Sequence, residues 1–249
     1  TIFESVRWIR KYGYCSNIKE ISTKKDLWNI LGTAIVLKGR FVPDLIEFSH
    51  IDSEKVLKRE SEIINNRKIN ESIPDWLDSI GLRDFGEDIW DKEVNAFNIK
   101  APLVLRCNTL KSKIKELKKL LKSEDIDSSI KKEYPDALII KEHKKVTHLK
   151  YYKLGFFEIQ DANSQKVGLS CNLKPGMTII DACAGAGGKS MHMASILKNT
   201  GKIIALDPHD SKLKELNKRA KRNGVSIIKT IKTSKVKSIS NLIGDVDRV

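Results

Sequence analysis

The segment of this sequence best suited to chemistry is a glycine-rich stretch, D-A-C-A-G-A-G-G-K-S, that runs from Asp181 to Ser190. Its glycines at positions 185, 187 and 188 permit positive φ and lack the Cβ atoms that keep a ligand away from the backbone. Asp207 lies about twenty residues after Gly188. At this spacing a carboxylate can accept hydrogen bonds from the ribose hydroxyls of an adenosine-containing ligand. Together these features predict a site for an adenosine-containing cofactor.

Three cofactor classes compete for this stretch. A phosphate-binding P-loop requires G-x-x-x-x-G-K-S/T, which residues 183–190 meet except that Cys183 replaces the first glycine. A dinucleotide-binding turn requires G-x-G-x-x-G, and Ser190 stands in place of its third glycine. S-adenosylmethionine needs a glycine-rich turn and a ribose-binding carboxylate, and Asp181 can then receive its ammonium or sulfonium-bearing end, whereas Asp181 would repel phosphates. We expect S-adenosylmethionine, with P-loop nucleotide binding as the alternative.

Alternating strand and helix patterns position this stretch. Buried strands are predicted over 177–181, 202–207 and 225–231, with the beginning of a fourth at 247–249. Helices are predicted over 189–197 and from a cap at Asp210 or Ser211 to Gly224. Repeated strand-helix-strand units indicate a parallel, doubly wound sheet, in which ligands bind at the carboxyl ends of the strands.

Two other patterns precede the parallel sheet. Helical periodicity runs through the first part, where Thr23 and Asp26 have the spacing of a capping box. Further on, a strand, helix, strand order typical of small α+β RNA-binding modules follows over 103–107, 111–122 and 137–140. We therefore predict a helical domain over 1–73, an α+β domain with leading helices over 74–154, and the parallel-sheet domain over 155–249.

Charge divides the chain unevenly. The formal net charge is +14, yet residues 1–100 hold 16 basic and 17 acidic side chains, whereas residues 101–249 hold 30 and 15. A region this basic indicates a polyanion, nucleic acid first, although a solvated lysine-rich surface has the same composition. Both interpretations stay open for the lysines on the outer face of the helix predicted over 111–122, which are Lys111, Lys115, Lys118, Lys119 and Lys122.

Composition and patterning exclude several classes of protein. A hydrophobic content of 40% is too high for a disordered chain, and no apolar run approaches the roughly 20 residues of a membrane span. The first residues, T-I-F-E-S-V-R-W, show no signal peptide. Four scattered cysteines indicate neither a disulfide scaffold nor a metal site. We expect a soluble, cytoplasmic, monomeric protein with no metal and no membrane partner.

Several motifs occur in an order that marks a known family. They are I-P-D-W-L at 73–77, P-L-V-L-R-C-N-T-L at 102–110, Q-D-A-N-S-Q at 160–165, the glycine-rich stretch, and the run from Asp207 to Gly224. Together they resemble the Sun/Fmu and nucleolar-protein family of RNA cytosine-5 methyltransferases, whose signatures include D-x-C-A-x-x-G-G-K-S/T and Q-D-x-x-S-Q. The resemblance covers about residues 73–249.

This resemblance implies an S-adenosylmethionine-dependent enzyme that forms 5-methylcytosine in RNA, most often ribosomal RNA. It implies an α/β fold in which an RNA-recognition-like domain precedes a Rossmann-like catalytic domain. Asp207 is expected to hold the ribose of the cofactor, and Lys212 to lie near its adenosine. The residues expected to line the cofactor are Cys183, Ala184, Gly185, Ala186, Gly187, Gly188 and Lys189. An RNA-binding module without catalysis remains an alternative.

Two features depart from the family pattern. Members usually carry an acid after the third strand, near the adenine, where this sequence has Lys232 or Thr233, so we expect a weaker adenine contact. Cytosine C5 is a poor nucleophile, and these enzymes add a cysteine thiolate to C6 before the methyl transfer. The family's Asp-Ala-Pro-Cys and Thr-Cys motifs are expected after Val249, and Cys183 is expected to pack under the cofactor. We therefore predict no catalytic cysteine, and no activity, within these 249 residues.

Overall fold

The N-terminal part of the chain is helical, as predicted. A computed structural model describes residues 6–142, 144–235 and 245–249, so the first five residues of the predicted helical domain lie outside the described residues. The helices of this part are α1 (Ile9–Cys15), α2 (Lys24–Leu37), α3 (Ser53–Glu62), α4 (Arg67–Asn70), α5 (Asp75–Phe85) and α6 (Glu87–Asn98). None of the described helices is long and apolar enough to cross a bilayer.

Helix α2 begins with the predicted capping box. The Thr23 hydroxyl accepts from the Asp26 amide at 3.2 Å, and the Asp26 carboxylate accepts from the Thr23 amide at 2.8 Å. These bonds satisfy two amides that the first helical turn leaves without intrahelical partners. The helix buries Ile30 and Ala34 against Tyr12 of α1, so residues close in sequence form a core of their own.

A four-stranded antiparallel sheet forms the next layer. Its strands are β1 (Leu103–Cys107), β2 (Ser128–Ile130), β3 (Ala137–Ile140) and β4 (Phe157–Ile159), in the order β2-β3-β1-β4. Helix α7 (Ile114–Lys122) packs Leu117 and Leu121 against Leu105, Leu138 and Phe157, and a short helix α8 (Lys150–Lys153) precedes β4. The predicted strand, helix, strand order is confirmed, and β2 and β4 are additions that the sequence analysis missed.

A parallel sheet follows, as predicted. Its strands β5 (Thr178–Asp181), β6 (Lys202–Asp207) and β7 (Ile228–Lys232) lie side by side in that order. Helices α9 (Ala162–Ser170), α10 (Gly188–Ile196) and α11 (Asp210–Asn223) precede or connect them. On the other edge of β5, Arg248 forms a parallel bridge with Ile179, and its carbonyl accepts from the Ile180 amide at 2.9 Å. The predicted start of a fourth parallel strand is thereby confirmed.

Two element boundaries differ from the prediction. The third parallel strand begins at Ile228 rather than at Val225, because the Val225 amide donates to the Ala220 carbonyl at 2.9 Å and closes the end of α11. Helix α7 begins at Ile114 rather than at Lys111, since the amides of Lys111 and Ser112 both bond to the Asn108 carbonyl in a turn. Local capping therefore shortens both elements.

The chain divides into two compact units, Thr1–Lys100 and Ala101–Val249. Within the second unit the antiparallel and parallel sheets each have a core of their own. Because β4 pairs with β1, residues 157–159 belong to the antiparallel sheet by their hydrogen bonding. The domain boundaries expected near residues 73 and 154 stay predictions.

Candidate functional site

The glycine-rich stretch forms the turn between β5 and α10, at the carboxyl end of the parallel sheet. Gly185 and Gly187 adopt φ values of +54° and +83°, and Gly187 is the left-handed residue at which α10 begins. A Cβ atom on Gly187 would lie 2.5 Å from Cγ of Leu216, a buried residue of α11. This turn therefore needs glycine at position 187 both for its backbone conformation and for its packing.

Hydrogen bonds hold the turn on the sheet. The Ala184 amide donates to the Leu206 carbonyl at 2.9 Å, which ties the turn to the neighbouring strand β6. The fully buried Ser190 hydroxyl donates to the carboxylate of Asp181 at 2.6 Å, across the two ends of the turn. The backbone of the turn is thus positioned before any ligand arrives.

Asp207 joins this turn at the end of β6. Its carboxylate accepts from the Gly185 amide at 3.0 Å and from the His209 amide at 2.8 Å, and it lies 3.2 Å from Nδ1 of His209. The hydrogen bond from the His209 amide, together with the other two, holds the pKa of Asp207 below its usual value. The structure therefore brings an ionised carboxylate against the glycine-rich turn, the pair that the sequence spacing predicts.

A buried ion-pair network supports the turn from behind. Arg219 of α11 donates to the Ala186 carbonyl at 2.8 Å and to the carboxylate of Glu158 at 2.8 Å. Glu158, on β4, is 1% exposed and also accepts from Arg222 and Asn223. The sequence analysis missed this network because β4 was not predicted. The one available signal was the apolar-acidic alternation around Glu158, which is typical of a strand with a charged residue on one face.

The remaining predicted residues of the site differ in environment. Cys183 is exposed on the turn, Lys189 is exposed at the start of α10, and Lys212 is exposed on the first turn of α11. Lys232, at the end of β7, forms an ion pair with Asp210 at 2.9 Å. This pair lies at a cavity of about 290 Å³ between α11 and β7. The site thus has a lysine-aspartate pair where the family pattern has an acid.

The other cysteines lie outside the glycine-rich turn in sequence and have their own environments. Burial raises the pKa of Cys15 to about 11 and that of Cys107 to about 12, and Cys171 is partly exposed at the end of α9. A thiol must ionise to act as a nucleophile, so the two buried cysteines are inert packing residues. Met191, His192 and Met193 are buried in α10 and are therefore core residues. The described residues contain no group of three or more His, Cys, Asp or Glu able to hold a metal ion.

The antiparallel sheet is covered on both faces. One face buries Leu105 and Phe157 against α7. The other face buries Val104 against Ala162 of α9, and on it Glu158 contacts α11. Many RNA-recognition modules stack bases on an open sheet face. That mode of binding is closed to this sheet.

The predicted lysine row is only partly correct. Lys115, Lys118 and Lys119 are exposed on α7, and Lys122 pairs with Asp127 at 2.8 Å. Lys111 is not in the row, since it precedes the helix and its ammonium donates to the carbonyls of Leu154 and Arg222, each at 2.7 Å. Three lysines of α7 therefore remain as a basic surface, which we call the α7 lysine face.

Two family models match consecutive parts of the chain. Residues 73–147 match the ferredoxin-like domain of RsmF/B-like methyltransferases, and residues 169–249 match the model described as 16S rRNA methyltransferase RsmB/F. Curated relatives include a probable ribosomal RNA small subunit methyltransferase B of Bacillus subtilis, 32% identical over 63% of this chain and 35% of its own length. Ribosomal RNA small subunit methyltransferase B of Vibrio vulnificus is 34% identical over 60% of this chain and 34% of its own. The chain spans about a third of the length of these relatives.

Solved structures share the fold. PH0851 superposes on 92% of this chain and 59% of its own, with a TM-score of 0.70 at 20% identity. NSun6 from Pyrococcus horikoshii, solved with SFG, superposes on 64% of this chain and 65% of its own, with a TM-score of 0.61 at 18% identity. These likenesses show the fold alone, and together with the family models they indicate a Rossmann-like domain preceded by a ferredoxin-like domain. Matched in this order, the two models show that residues 73–147 and 169–249 are similar to the ferredoxin-like and methyltransferase domains of RsmB/F proteins.

Proposed function

We propose that this chain binds S-adenosylmethionine on the turn between β5 and α10 and serves in the formation of 5-methylcytosine in RNA. The observation that carries this proposal is the contact of the Asp207 carboxylate with the Gly185 amide at 3.0 Å. This contact supports a ribose-binding role for Asp207, because its carboxylate lies beside a turn whose backbone a ligand can approach. When bound, the cofactor supplies the methyl group that is transferred.

Each residue of the turn has a part in this proposal. Cys183 to Lys189 line the cofactor, and the ionised Asp207 accepts hydrogen bonds from its ribose hydroxyls. Lys212, exposed on the first turn of α11, lies towards the adenosine. At the end of β7, where the family pattern has an acid, this chain has Lys232 paired with Asp210. We therefore expect contacts to the adenine to contribute little to the affinity for the cofactor.

The proposed substrate is ribosomal RNA, in the cytoplasm. The relatives are named for that substrate, and residues 101–249 carry twice as many basic as acidic side chains. The α7 lysine face offers an RNA contact that does not need the covered sheet. SFG, present in the NSun6 structure, is an analogue of S-adenosylmethionine, which further supports the cofactor.

Titration calorimetry tests the cofactor. We expect the protein to bind S-adenosylmethionine and S-adenosylhomocysteine, and Asp207→Ala to weaken both by about tenfold or more, since a hydrogen bond to a charged group contributes roughly 1.5–3 kcal/mol. Asp84→Ala is the matched control, because it removes an exposed carboxylate that pairs with Arg83 of α5 instead. Binding of ATP without binding of S-adenosylmethionine would overturn the proposal in favour of a P-loop-like protein.

We also propose that these 249 residues do not complete the methyl transfer. Of their four cysteines, two are buried with raised pKa values, one lies at the end of α9 and one lies on the cofactor turn itself. None of these four cysteines is therefore expected to act as the thiolate nucleophile that attacks a cytosine base. Incubation with radiolabelled S-adenosylmethionine and ribosomal RNA is expected to leave the RNA unlabelled. Labelled 5-methylcytosine that disappears in Cys183→Ala would assign Cys183 as the nucleophile instead.

A binding module without catalysis is the second candidate, and the exposed lysines of α7 favour it. The two candidates differ in their cofactor. An RNA-binding module alone binds RNA with a salt-dependent affinity and shows no heat of binding with S-adenosylhomocysteine. Calorimetry and filter binding on the same preparation therefore separate them.

A further inference from the structure

The side-chain amide of Gln160 has no hydrogen-bond partner within residues 6–142, 144–235 and 245–249. The residue directly follows β4 and is 8% exposed, and neither its Nε2 nor its Oε1 has a hydrogen-bond partner among the described residues. Leaving a buried polar group unpaired costs roughly 1–3 kcal/mol, so such a group calls for a physical explanation, and a bound ligand, water or ion is one of them. The amide therefore has unused capacity for up to two donor and two acceptor contacts.

The backbone of Gln160 is fixed while its amide is free. Its N–H donates to the Val104 carbonyl at 3.1 Å, and its carbonyl accepts from Nε2 of Gln165 at 3.1 Å. Asp161, the next residue, caps α9 by accepting from the amides of Asn163 and Ser164. The side chain is consequently held in one place by its own main chain rather than by its polar atoms.

That place is the start of α10. The Nε2 atom of Gln160 lies 3.9 Å from the position that a Cβ atom on Gly188 would occupy. Gly188 is the first residue of the nine-residue helix α10. The end of β4 is also bound to the glycine-rich turn through Glu158, which pairs with Arg219, which in turn donates to the Ala186 carbonyl. The free amide thus faces the point where the turn enters the helix.

The chemistry of this point suits one end of the proposed cofactor. The first amides of α10 and the positive end of its dipole favour an anion, and Nε2 of Gln160 adds a neutral donor. Asp181, bonded to Ser190 on the same turn, keeps a carboxylate oxygen for a cation. The α-carbon of an amino acid bears both a carboxylate and an ammonium group. The donors at the start of α10 match the carboxylate, and Asp181 matches the ammonium.

We propose that Gln160 is a further cofactor-binding residue, whose amide donates to the carboxylate at the amino-acid end of S-adenosylmethionine. This inference rests on the proposed function, because it assumes that the cofactor lies on the turn. It adds a residue from the antiparallel sheet to a site otherwise built by the parallel sheet. The glycine at position 188 then keeps the space between the amide and the helix open.

The test uses two ligands that differ at one end. S-adenosylhomocysteine keeps the amino-acid end, whereas 5′-methylthioadenosine lacks it and retains the adenosine and the sulfur. Calorimetry on Gln160→Met, which preserves the length of the side chain, is expected to show about tenfold weaker binding of S-adenosylhomocysteine. The affinity for 5′-methylthioadenosine is expected to change by less than about twofold. Gln160→Glu, which places a negative charge against the carboxylate, is expected to weaken S-adenosylhomocysteine further.

The matched control is a substitution at another buried polar group that is distant from Gln160 in sequence. Thr33 is fully buried and its hydroxyl has no partner among the described residues, so Thr33→Val should leave both affinities unchanged. Unchanged binding of S-adenosylhomocysteine by Gln160→Met would overturn the inference, as would an equal loss for both ligands. If Gln160→Met does not fold, the same comparison with Gln160→Glu decides. Failure of the unmodified protein to bind either ligand would instead overturn the proposed function itself, and this inference with it.

Discussion

At the scale of single residues, Gly187 shows how tightly the candidate site is specified. Its φ of +83° is unfavourable for any side chain, and the space beside it is filled by Leu216. Gly176, which precedes β5, has a similar φ of +93°, yet a Cβ atom there would meet nothing within 4 Å. Substitution of Gly176 would therefore cost only the free energy of the backbone conformation, whereas substitution of Gly187 would also cost that of the steric contact with Leu216.

We predict that Gly187→Ala destabilises the protein more than Gly176→Ala. The left-handed conformation costs either variant roughly 1–2 kcal/mol, and the contact with Leu216 adds about 1–3 kcal/mol at position 187 alone. Urea unfolding of both variants measures the difference. Equal losses of stability would show that Leu216 moves aside and that only the backbone conformation demands glycine.

A second prediction at this scale concerns thiol reactivity. At pH 8, Cys183 should react with iodoacetamide in the folded protein, because it is exposed, whereas Cys15 and Cys107 should react only after unfolding. Mass spectrometry of tryptic peptides identifies the modified residues, and Cys183→Ser serves as the control. S-adenosylhomocysteine should slow the modification of Cys183. A rate that saturating ligand leaves unchanged would place the cofactor elsewhere.

At the scale of secondary structure, α11 connects the two sheets of the second unit. Its last turns carry Arg219 and Arg222, both paired with the buried Glu158 of β4. Burial would raise the pKa of Glu158, but the charge of Arg219 and the hydrogen bonds from Arg222 and Asn223 outweigh it, so the pKa is lowered. The carboxylate is therefore ionised and links the sheets at neutral pH.

This lowered pKa predicts a pH dependence of stability. A carboxylate whose folded pKa is below its unfolded value of about 4.3 stabilises the fold fully above that value, and the contribution is lost as pH falls through the folded pKa. Urea unfolding between pH 7 and pH 3 should show a loss in the unmodified protein that is smaller in Glu158→Gln. Asp88→Asn, which changes an exposed carboxylate of α6, is the control and should follow the unmodified protein. Parallel pH profiles for Glu158→Gln and the unmodified protein would contradict the assigned pKa direction.

At the scale of the whole chain, charge and sheet burial together restrict where RNA can bind. Residues 101–249 hold 30 basic and 15 acidic side chains, whereas residues 1–100 are close to neutral. The antiparallel sheet has no open face for base stacking, so contacts to phosphates become the main expected source of affinity. The α7 lysine face is one such surface.

We predict that replacing Lys115, Lys118 and Lys119 by Gln weakens RNA binding and flattens its dependence on salt. Each lost phosphate contact should reduce the slope of log K against log salt by roughly 0.7–0.9. Filter binding across a salt series measures the slope. The matched control replaces three exposed lysines of the first unit, Lys24, Lys25 and Lys58. Equal slopes for the two triple variants would show that the α7 lysine face is only a solvated surface.

Much of the second unit could be predicted from the sequence. Strands β1, β3 and β6 have the predicted bounds, and the turn between β5 and α10 lies where its glycines indicated. These features depend on local patterns, namely apolar runs, caps and residues that tolerate positive φ. Strand β4 could not be predicted, since its three residues gain their conformation from pairing with β1, about fifty residues earlier.

The sequence by itself determined the resemblance to a methyltransferase family, the parallel sheet, and the spacing that brings Asp207 to the glycine-rich turn. Only the tertiary structure decided that Glu158 and Arg219 support this turn, that Lys111 caps carbonyls instead of joining the lysine row, and that the antiparallel sheet is covered. It also left the amide of Gln160 unpaired at the start of α10. The physical reason is distance along the chain. Periodicity and capping act over a few residues, whereas burial and ion pairing join residues tens of positions apart, and no local pattern encodes their partners.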